Sequence, residues 1–209
     1  MNSHEQLIAQ LANGLAPVKP WRPVWQRALL WLALALPAGA LLVLAVFGSH
    51  LQLRAGEALS FWLSVGVPLL LALPTMAAAY ATQVPGRRVP VGMLMLSGLF
   101  GWGVLTWFQY PSAHADPGRW GAGLYCLLFM LLAGLPMVAG FAWLLRRRPL
   151  LAEARRGLPL VGLAAFYSAS ALLSLCHPPH ASLMDLGGHL LAGAGLVLLA
   201  WLCGRRAHI

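Results

Sequence analysis

Two cysteines, Cys126 and Cys176, carry the strongest chemical signal in this 209-residue chain. From Cys176 the sequence reads CHPPHASLMDLGGH, which holds three histidines and an aspartate within fourteen residues. Thiolate and imidazole suit zinc, copper(I) and similar soft metals, and thiolate is also the reactive form of cysteine. These residues predict a site that senses a metal ion or the redox state. Its candidate ligands are Cys126, Cys176, His177, His180, Asp185 and His189.

The composition indicates that a membrane positions these residues. Hydrophobic residues make up 60% of the chain and charged residues 9%, whereas about a quarter of a soluble protein is charged. A membrane span needs about 20 apolar residues. Six segments qualify: 28–47, 59–82, 91–110, 121–145, 158–176 and 183–203. We therefore predict an all-α integral membrane bundle of six helices, which excludes an enzyme with a separate catalytic domain.

The basic residues predict the orientation of this bundle. Twelve of the fourteen Lys and Arg precede the first span, follow the last, or lie between spans two and three or four and five. Only Arg54 and Arg119 lie in the other loops. The positive-inside rule then places both termini in the cytoplasm and the loops 48–58, 111–120 and 177–182 outside. The net charge of +9 thus reports topology rather than nucleic-acid binding.

Taken singly, the candidate ligands have simpler explanations. A lone cysteine in a span is usually a small packing residue, which is also how we interpret Cys203. Asp185 and His189, however, lie four residues apart on one helical face, and ionisable groups at membrane depth are rare and usually functional. A disulfide between Cys126 and Cys176 competes with metal binding, because disulfides persist outside the cytoplasm.

Two glycines beside the late histidine predict close helix packing. Gly187 and Gly188 place no side chain next to His189, so a neighbouring helix is able to approach there.

The N-terminal residues 1–27 predict a short helix that binds a partner. Its apolar stripe comprises Leu7, Ile8, Leu11 and Leu15, and Asn13-Gly14 is expected to end the helix after about ten residues. A helix this short needs a partner surface. Residues 2–16 contain no Lys or Arg and include Glu5, which favours a protein partner over anionic lipid.

Several motifs, in order along nearly the whole chain, resemble the NrsF (negative regulator of sigma F) family of six-span bacterial anti-sigma factors. They are VKPWRP after the first helix, RWGAGLYCLLFMLLAGLPM, LLRRRPLL and LLSLCHPPHASLMDLGGHLLAGAGLVLLAWLCGRR. The chain differs from the family in having Gly187 and Gly188 where an aromatic residue more often precedes the late histidine.

The resemblance implies a function. Such proteins hold an extracytoplasmic-function (ECF) sigma factor at the bacterial inner membrane and release it under heavy-metal or oxidative stress. It implies that Cys126 and Cys176 are the sensing cysteines and that His189 is the matching late histidine. It also implies a sigma-binding segment (1–27), a six-helix sensor domain (28–206) and a cytoplasmic tail (207–209). The expected signal is a soft or borderline metal ion (Cu, Zn or Cd-like) or an oxidant, without enzymatic activity, an organic cofactor or direct nucleic-acid binding.

The alternatives are a small membrane thiol oxidoreductase and a metal-handling membrane protein. An oxidoreductase would favour a C-x-x-C pair or facing haem-binding histidines, but the chain has no C-x-x-C and only His189 lies clearly within a span. A metal transporter would favour polar residues along a path through the bilayer, and the inner halves of these spans are almost wholly apolar.

Overall fold

The part of the protein that the structure describes is all-helical. The computed structural model describes residues 3–13, 22–48, 59–109, 122–146, 155–176 and 183–206, and these ranges contain no strand. The helices are α1 (Ser3–Asn13), α2 (Val24–Phe47), α3 (Leu59–Ala81), α4 (Val91–Gln109), α5 (Ala122–Arg146), α6 (Leu158–Ser174) and α7 (Leu183–Arg206). Each predicted span corresponds to one of α2–α7, and the predicted bounds lie within four residues of the observed ones.

Several of these helices are long and apolar enough to cross a membrane. In the described part of the chain there are four such segments: Val24–Phe47, Phe61–Ala81, Gly123–Leu144 and Met184–Arg205. Val91–Val104 and Leu158–Ser174 are apolar but shorter. These findings support a membrane protein with four candidate spans and two shorter apolar helices.

Contacts between helix termini define two ends of the bundle. They join Arg27 to Gln83, Ser64 to Ser174 and Phe47 to Phe129. The starts of α2 and α6 therefore lie at the same end as the terminus of α3, and we call this the tail end because the N-terminal segment enters there. The opposite end, where α5 and α7 begin and α6 terminates, contains Cys126 and Cys176, and we call it the cysteine end.

Helix α6 forms the centre of the bundle. Every residue from 160 to 171 is buried, and α6 packs on α2, α3, α4, α5 and α7. Small residues allow this close packing: a Cβ added at Gly162 would collide with the α7 backbone at Val197. In a membrane, where lipid is as apolar as leucine, small residues allow helix backbones to approach closely. Helix α4 is peripheral and packs mainly on α3.

Helix α1 lies outside this core. It ends at Asn13 as predicted, and all of its described side chains are exposed. Leu7, Ile8 and Leu11 are 54%, 66% and 64% exposed. Leu15, the fourth predicted member of the stripe, lies outside the described residues. The structure therefore presents an apolar helical surface that the bundle does not bury.

Candidate functional site

Cys126 and Asp185 form a buried pair between α5 and α7. The Cys126 thiol donates a hydrogen bond to Asp185 Oδ1, with 3.5 Å between Sγ and the oxygen. The side chains of Cys126 and Asp185 are only 2% and 4% exposed. A buried polar group needs a partner, and this bond supplies one to each residue. Because the thiol acts as the donor, Cys126 is protonated in this arrangement.

Two glycines bring this pair together. A Cβ added at Gly188 of α7 would collide with the carbonyl oxygen of Gly123 in α5, and a Cβ at Gly123 would collide with the Met184 carbonyl. The two backbones therefore touch one turn away from both Cys126 and Asp185. The predicted close helix approach is confirmed at Gly188. It is wrong for Gly187, where an added Cβ would meet nothing within 4 Å.

His189 lies next to this pair and contacts an aromatic side chain of α4. Its Nδ1 donates to the Asp185 carbonyl oxygen at 2.5 Å, and its ring centroid lies 6.3 Å from that of Trp102. Trp102 packs edge-on against Phe166 of α6, with 5.1 Å between the ring centroids. Because a carbonyl only accepts, this bond places a proton on Nδ1. The half-buried His189 therefore links α4, α6 and α7.

Cys176 follows α6 at the cysteine end. Helix α6 ends at Ser174, two residues before the predicted bound, and the Cys176 backbone N–H donates to the Leu173 carbonyl at 2.9 Å. Its half-buried thiol lies 3.9 Å from the Leu172 carbonyl oxygen and packs against the core. Cys176 is therefore more accessible than Cys126, although both thiols lie at the same end of the bundle.

Two predicted ligands, His177 and His180, lie outside the part of the chain that the structure describes. Within the described part, no group of three or more His, Cys, Asp or Glu residues is placed to hold a metal ion. Cys203 is half-buried at the tail end, where it lines a small cavity of about 10 Å³ with Leu158 and Gly204. Its apolar surroundings agree with a packing role.

Sequence reasoning grouped Cys126 with Asp185 but did not predict their direct bond or the contact of Trp102 with His189. A local signal for the bond exists. Gly123 precedes Cys126 by three residues and Gly188 follows Asp185 by three, so each polar residue lies one helical turn from a glycine. The sequence contains no comparable signal for Trp102, because an apolar helix has several faces on which a tryptophan can lie.

Comparison with known proteins identifies the family. The family model described as NrsF, negative regulator of sigma F, matches residues 11–208 and so extends from the last turn of α1 almost to the C-terminus. No curated protein and no solved structure matches the chain. The helical bundle, the apolar helices and this match over nearly the full length agree: the chain belongs to the NrsF family, the negative regulators of sigma F.

Proposed function

We propose that this protein is an anti-sigma factor that holds an ECF sigma factor at the cytoplasmic face of the bacterial inner membrane. Release follows when the residues at its cysteine end detect a heavy metal or an oxidant. The observation that carries the proposal is the separation of two features. An exposed apolar helix precedes the tail end, and a buried thiol–carboxylate pair lies at the cysteine end.

The sigma factor binds through α1 in this proposal. An isolated helix of eleven residues is only marginally stable in water. The stripe of Leu7, Ile8 and Leu11 gives it the pattern of a helix that docks into an apolar groove. Leu15 would extend the stripe by one more turn. The bound sigma factor is then unable to reach core RNA polymerase.

The orientation rests on charge. Five arginines at or beside the helix termini of the tail end are exposed, namely Arg87, Arg88, Arg155, Arg156 and Arg205. Excess Lys and Arg mark the cytoplasmic side of a membrane protein. The tail end therefore faces the cytoplasm, where the sigma factor is, and the cysteine end faces the opposite compartment.

The signal acts on a thiol that is protected in the resting state. Cys126 is protonated and buried, whereas the reactive form of cysteine is the thiolate. Metal binding replaces the thiol proton with the metal ion, and the nearby Asp185 carboxylate supplies a further ligand in this proposal. Oxidation instead removes two electrons and two protons from Cys126 and Cys176 to form one disulfide, and the oxidant is reduced. Either reaction removes the thiol proton and so breaks the hydrogen bond from Cys126 in α5 to Asp185 in α7.

One feature of His189 supports metal binding. Histidines that bind metals almost always donate their other ring N–H to a carbonyl or carboxylate, which fixes the tautomer. His189 donates from Nδ1 to the Asp185 carbonyl in this way. Cys176, His177 and His180 are the residues that would complete a set of ligands at this end.

The change reaches the tail through the contact between α5 and α2. A Cβ added at Gly39 of α2 would lie 2.6 Å from the Ala133 carbonyl oxygen of α5, so these backbones are also in close contact. Pro37 and Pro136 lie inside α2 and α5 near this contact and provide flexing points. A ligand shifts the bundle only if it binds one packing better than the other. A tenfold loss of sigma affinity requires about 1.4 kcal/mol of such a difference.

The first test is capture of the partner. Full-length protein and a version lacking residues 1–26 are purified from membranes of the native host, and bound proteins are identified by mass spectrometry. We expect an ECF sigma factor with the full-length protein and none with the truncated one. If the full-length protein captures no sigma factor, or if both versions capture it equally, the proposed role of α1 is wrong.

The second test separates sensing from binding. We expect the double variant Cys126→Ser/Cys176→Ser to retain the sigma factor but to lose release by metal and by oxidant. Sigma-dependent reporter expression measures release, and Cys203→Ser serves as the matched control with a normal response. A double variant that still responds to both signals would refute the assignment of these cysteines.

A further inference from the structure

A groove at the tail end has the features of a binding site. It has a volume of about 290 Å³ and lies where α2 begins, α3 ends and α4 begins. Ala77, Ala78 and Ala81 of α3, together with Val24 of α2, form an apolar wall. Arg87 and Arg88, from the segment that joins α3 to α4, also line it.

A series of tight turns fixes the position of these arginines. After α3, backbone N–H groups of Gln83, Val84 and Arg87 each donate to the carbonyl three residues earlier, at 3.1–3.2 Å. Gly86 has φ of 77°, a left-handed conformation that favours glycine, and it permits the last turn. The chain therefore returns directly from α3 to α4 and keeps both guanidinium groups beside the alanine wall.

The groove carries two positive charges, and no acidic residue lines it. Arg87 and Arg88 are exposed, and none of the residues that line the groove is acidic. Of the five acidic residues in the chain, the described ranges include Glu5 in α1 and Asp185 at the cysteine end. The lining thus combines two positive charges with an apolar wall.

We propose that this groove binds an anionic phospholipid. The lipid phosphate lies between Arg87 and Arg88, and its glycerol and upper acyl carbons lie on Ala77, Ala78 and Ala81. A guanidinium group matches phosphate oxygens through paired N–H donors, and basic pockets between transmembrane helices recognise anionic head groups. These alanines belong to a helix that contains a candidate membrane span, so the groove lies at one end of an apolar helix.

The charge and size of the groove suit a lipid head group. Its volume of about 290 Å³ is near the lower limit of small-molecule pockets, and two arginines line it. Val24, the first residue of α2, lines the groove, so a bound lipid contacts the helix that continues from the N-terminal segment.

The test measures lipid binding to the full-length protein. Purified protein in neutral detergent is titrated with phosphatidylglycerol or phosphatidylcholine, and native mass spectrometry counts the bound lipid. Inorganic phosphate is titrated in parallel. We expect the parent protein to bind phosphatidylglycerol in preference to phosphatidylcholine and phosphate, and the variant Arg87→Gln/Arg88→Gln to bind it roughly 10- to 30-fold more weakly.

Two further variants keep the test specific. Arg155→Gln/Arg156→Gln removes the same charge from exposed positions at the same end but outside the groove lining, and we expect it to bind as the parent does. Ala78→Phe places a large side chain in the space beside the apolar wall and keeps both arginines. We expect weaker lipid binding with unchanged phosphate binding.

Three results would overturn the proposal. The first is an equal loss for the two double arginine variants, which would indicate a general charge effect. The second is phosphate binding as tight as that of phosphatidylglycerol, which would assign the site to a free anion. The third is unchanged lipid binding by Arg87→Gln/Arg88→Gln. If this variant also lost the sigma factor in lipid-free detergent, the groove would be assigned to the protein partner.

Discussion

The Cys126 thiol and the Asp185 carboxylate share a hydrogen bond across 3.5 Å although 59 residues separate them in sequence. The bond joins the start of α5 to the start of α7 at a place where the two backbones touch through Gly123 and Gly188. A modification of the Cys126 thiol would break this hydrogen bond at the point of closest contact between α5 and α7.

The glycine contact leads to a first prediction. We expect Gly188→Ala to destabilise the bundle by about 1–3 kcal/mol, because the added methyl group collides with the Gly123 carbonyl, a backbone atom with little freedom to move. Gly187→Ala is the matched control, since it adds the same methyl group where nothing lies within 4 Å. Thermal unfolding in detergent measures both. Equal melting temperatures for the two variants would contradict the close contact.

A second prediction concerns the donor at Cys126. Cys126→Ser retains a hydroxyl donor for Asp185, whereas Cys126→Ala removes it and leaves a small void. Loss of a buried hydrogen bond costs about 1–3 kcal/mol, so we expect the alanine variant to unfold at a lower temperature than the serine variant. The same pair of substitutions at Cys176 should differ less, because that thiol is half-buried and lies 3.9 Å from its acceptor. An alanine variant as stable as the serine variant would show that the bond does not contribute to stability.

Thiol labelling provides a third prediction. In proteins that retain a single cysteine, we expect a maleimide to modify Cys176 at least tenfold faster than Cys126, because the Cys126 side chain is only 2% exposed. The readout is the labelling time course, followed by mass spectrometry. In spheroplasts a membrane-impermeant reagent should reach Cys176 but not Cys203, which lies at the opposite end. Labelling of Cys203 and not of Cys176 would reverse the proposed orientation.

The fourth prediction concerns the exposed helix. We expect Leu11→Asp to weaken sigma-factor binding at least tenfold, because it places a charge in the apolar stripe that enters the partner groove. Gln10→Asp adds the same charge one residue away, outside the stripe, and should change binding little. Titration calorimetry with the identified sigma factor measures both affinities. Neither variant should alter the melting temperature of the bundle, since both side chains are exposed. Equal losses of affinity would mean that charge, and not the stripe, governs binding.

The sequence predicts the helices of this fold well because their signal is local. A span is a long apolar run bounded by charges, prolines or glycines, and such runs placed α2–α7 within four residues of their observed bounds. The stripe of α1 is likewise a local pattern of helical spacing. The helix bounds and the α1 stripe depend only on neighbours in the chain, so they can be predicted without a structure.

Hydropathy does not reveal which apolar helix faces protein and which faces lipid. Helix α6 and helix α4 are both apolar, yet α6 is the buried centre and α4 the periphery. The better clue is the density of small residues, since α6 includes Gly162, Ala164 and Ala165. Hydropathy does not predict the bond between Cys126 and Asp185 either, because the bond depends on which faces of α5 and α7 meet. The local signal for it is the glycine that lies one helical turn from each residue.

The burial of α6 has a consequence for how the protein responds to its membrane. At 1.5 Å per residue its 17 residues extend over about 26 Å, which is shorter than a hydrocarbon core of about 30 Å. A lipid-facing helix of this length would thin the bilayer or tilt its neighbours. Helix α6 is surrounded by other helices instead of lipid, so hydrophobic mismatch acts on the outer helices. The length of α6, which ends just before Cys176, therefore does not have to match the thickness of the bilayer.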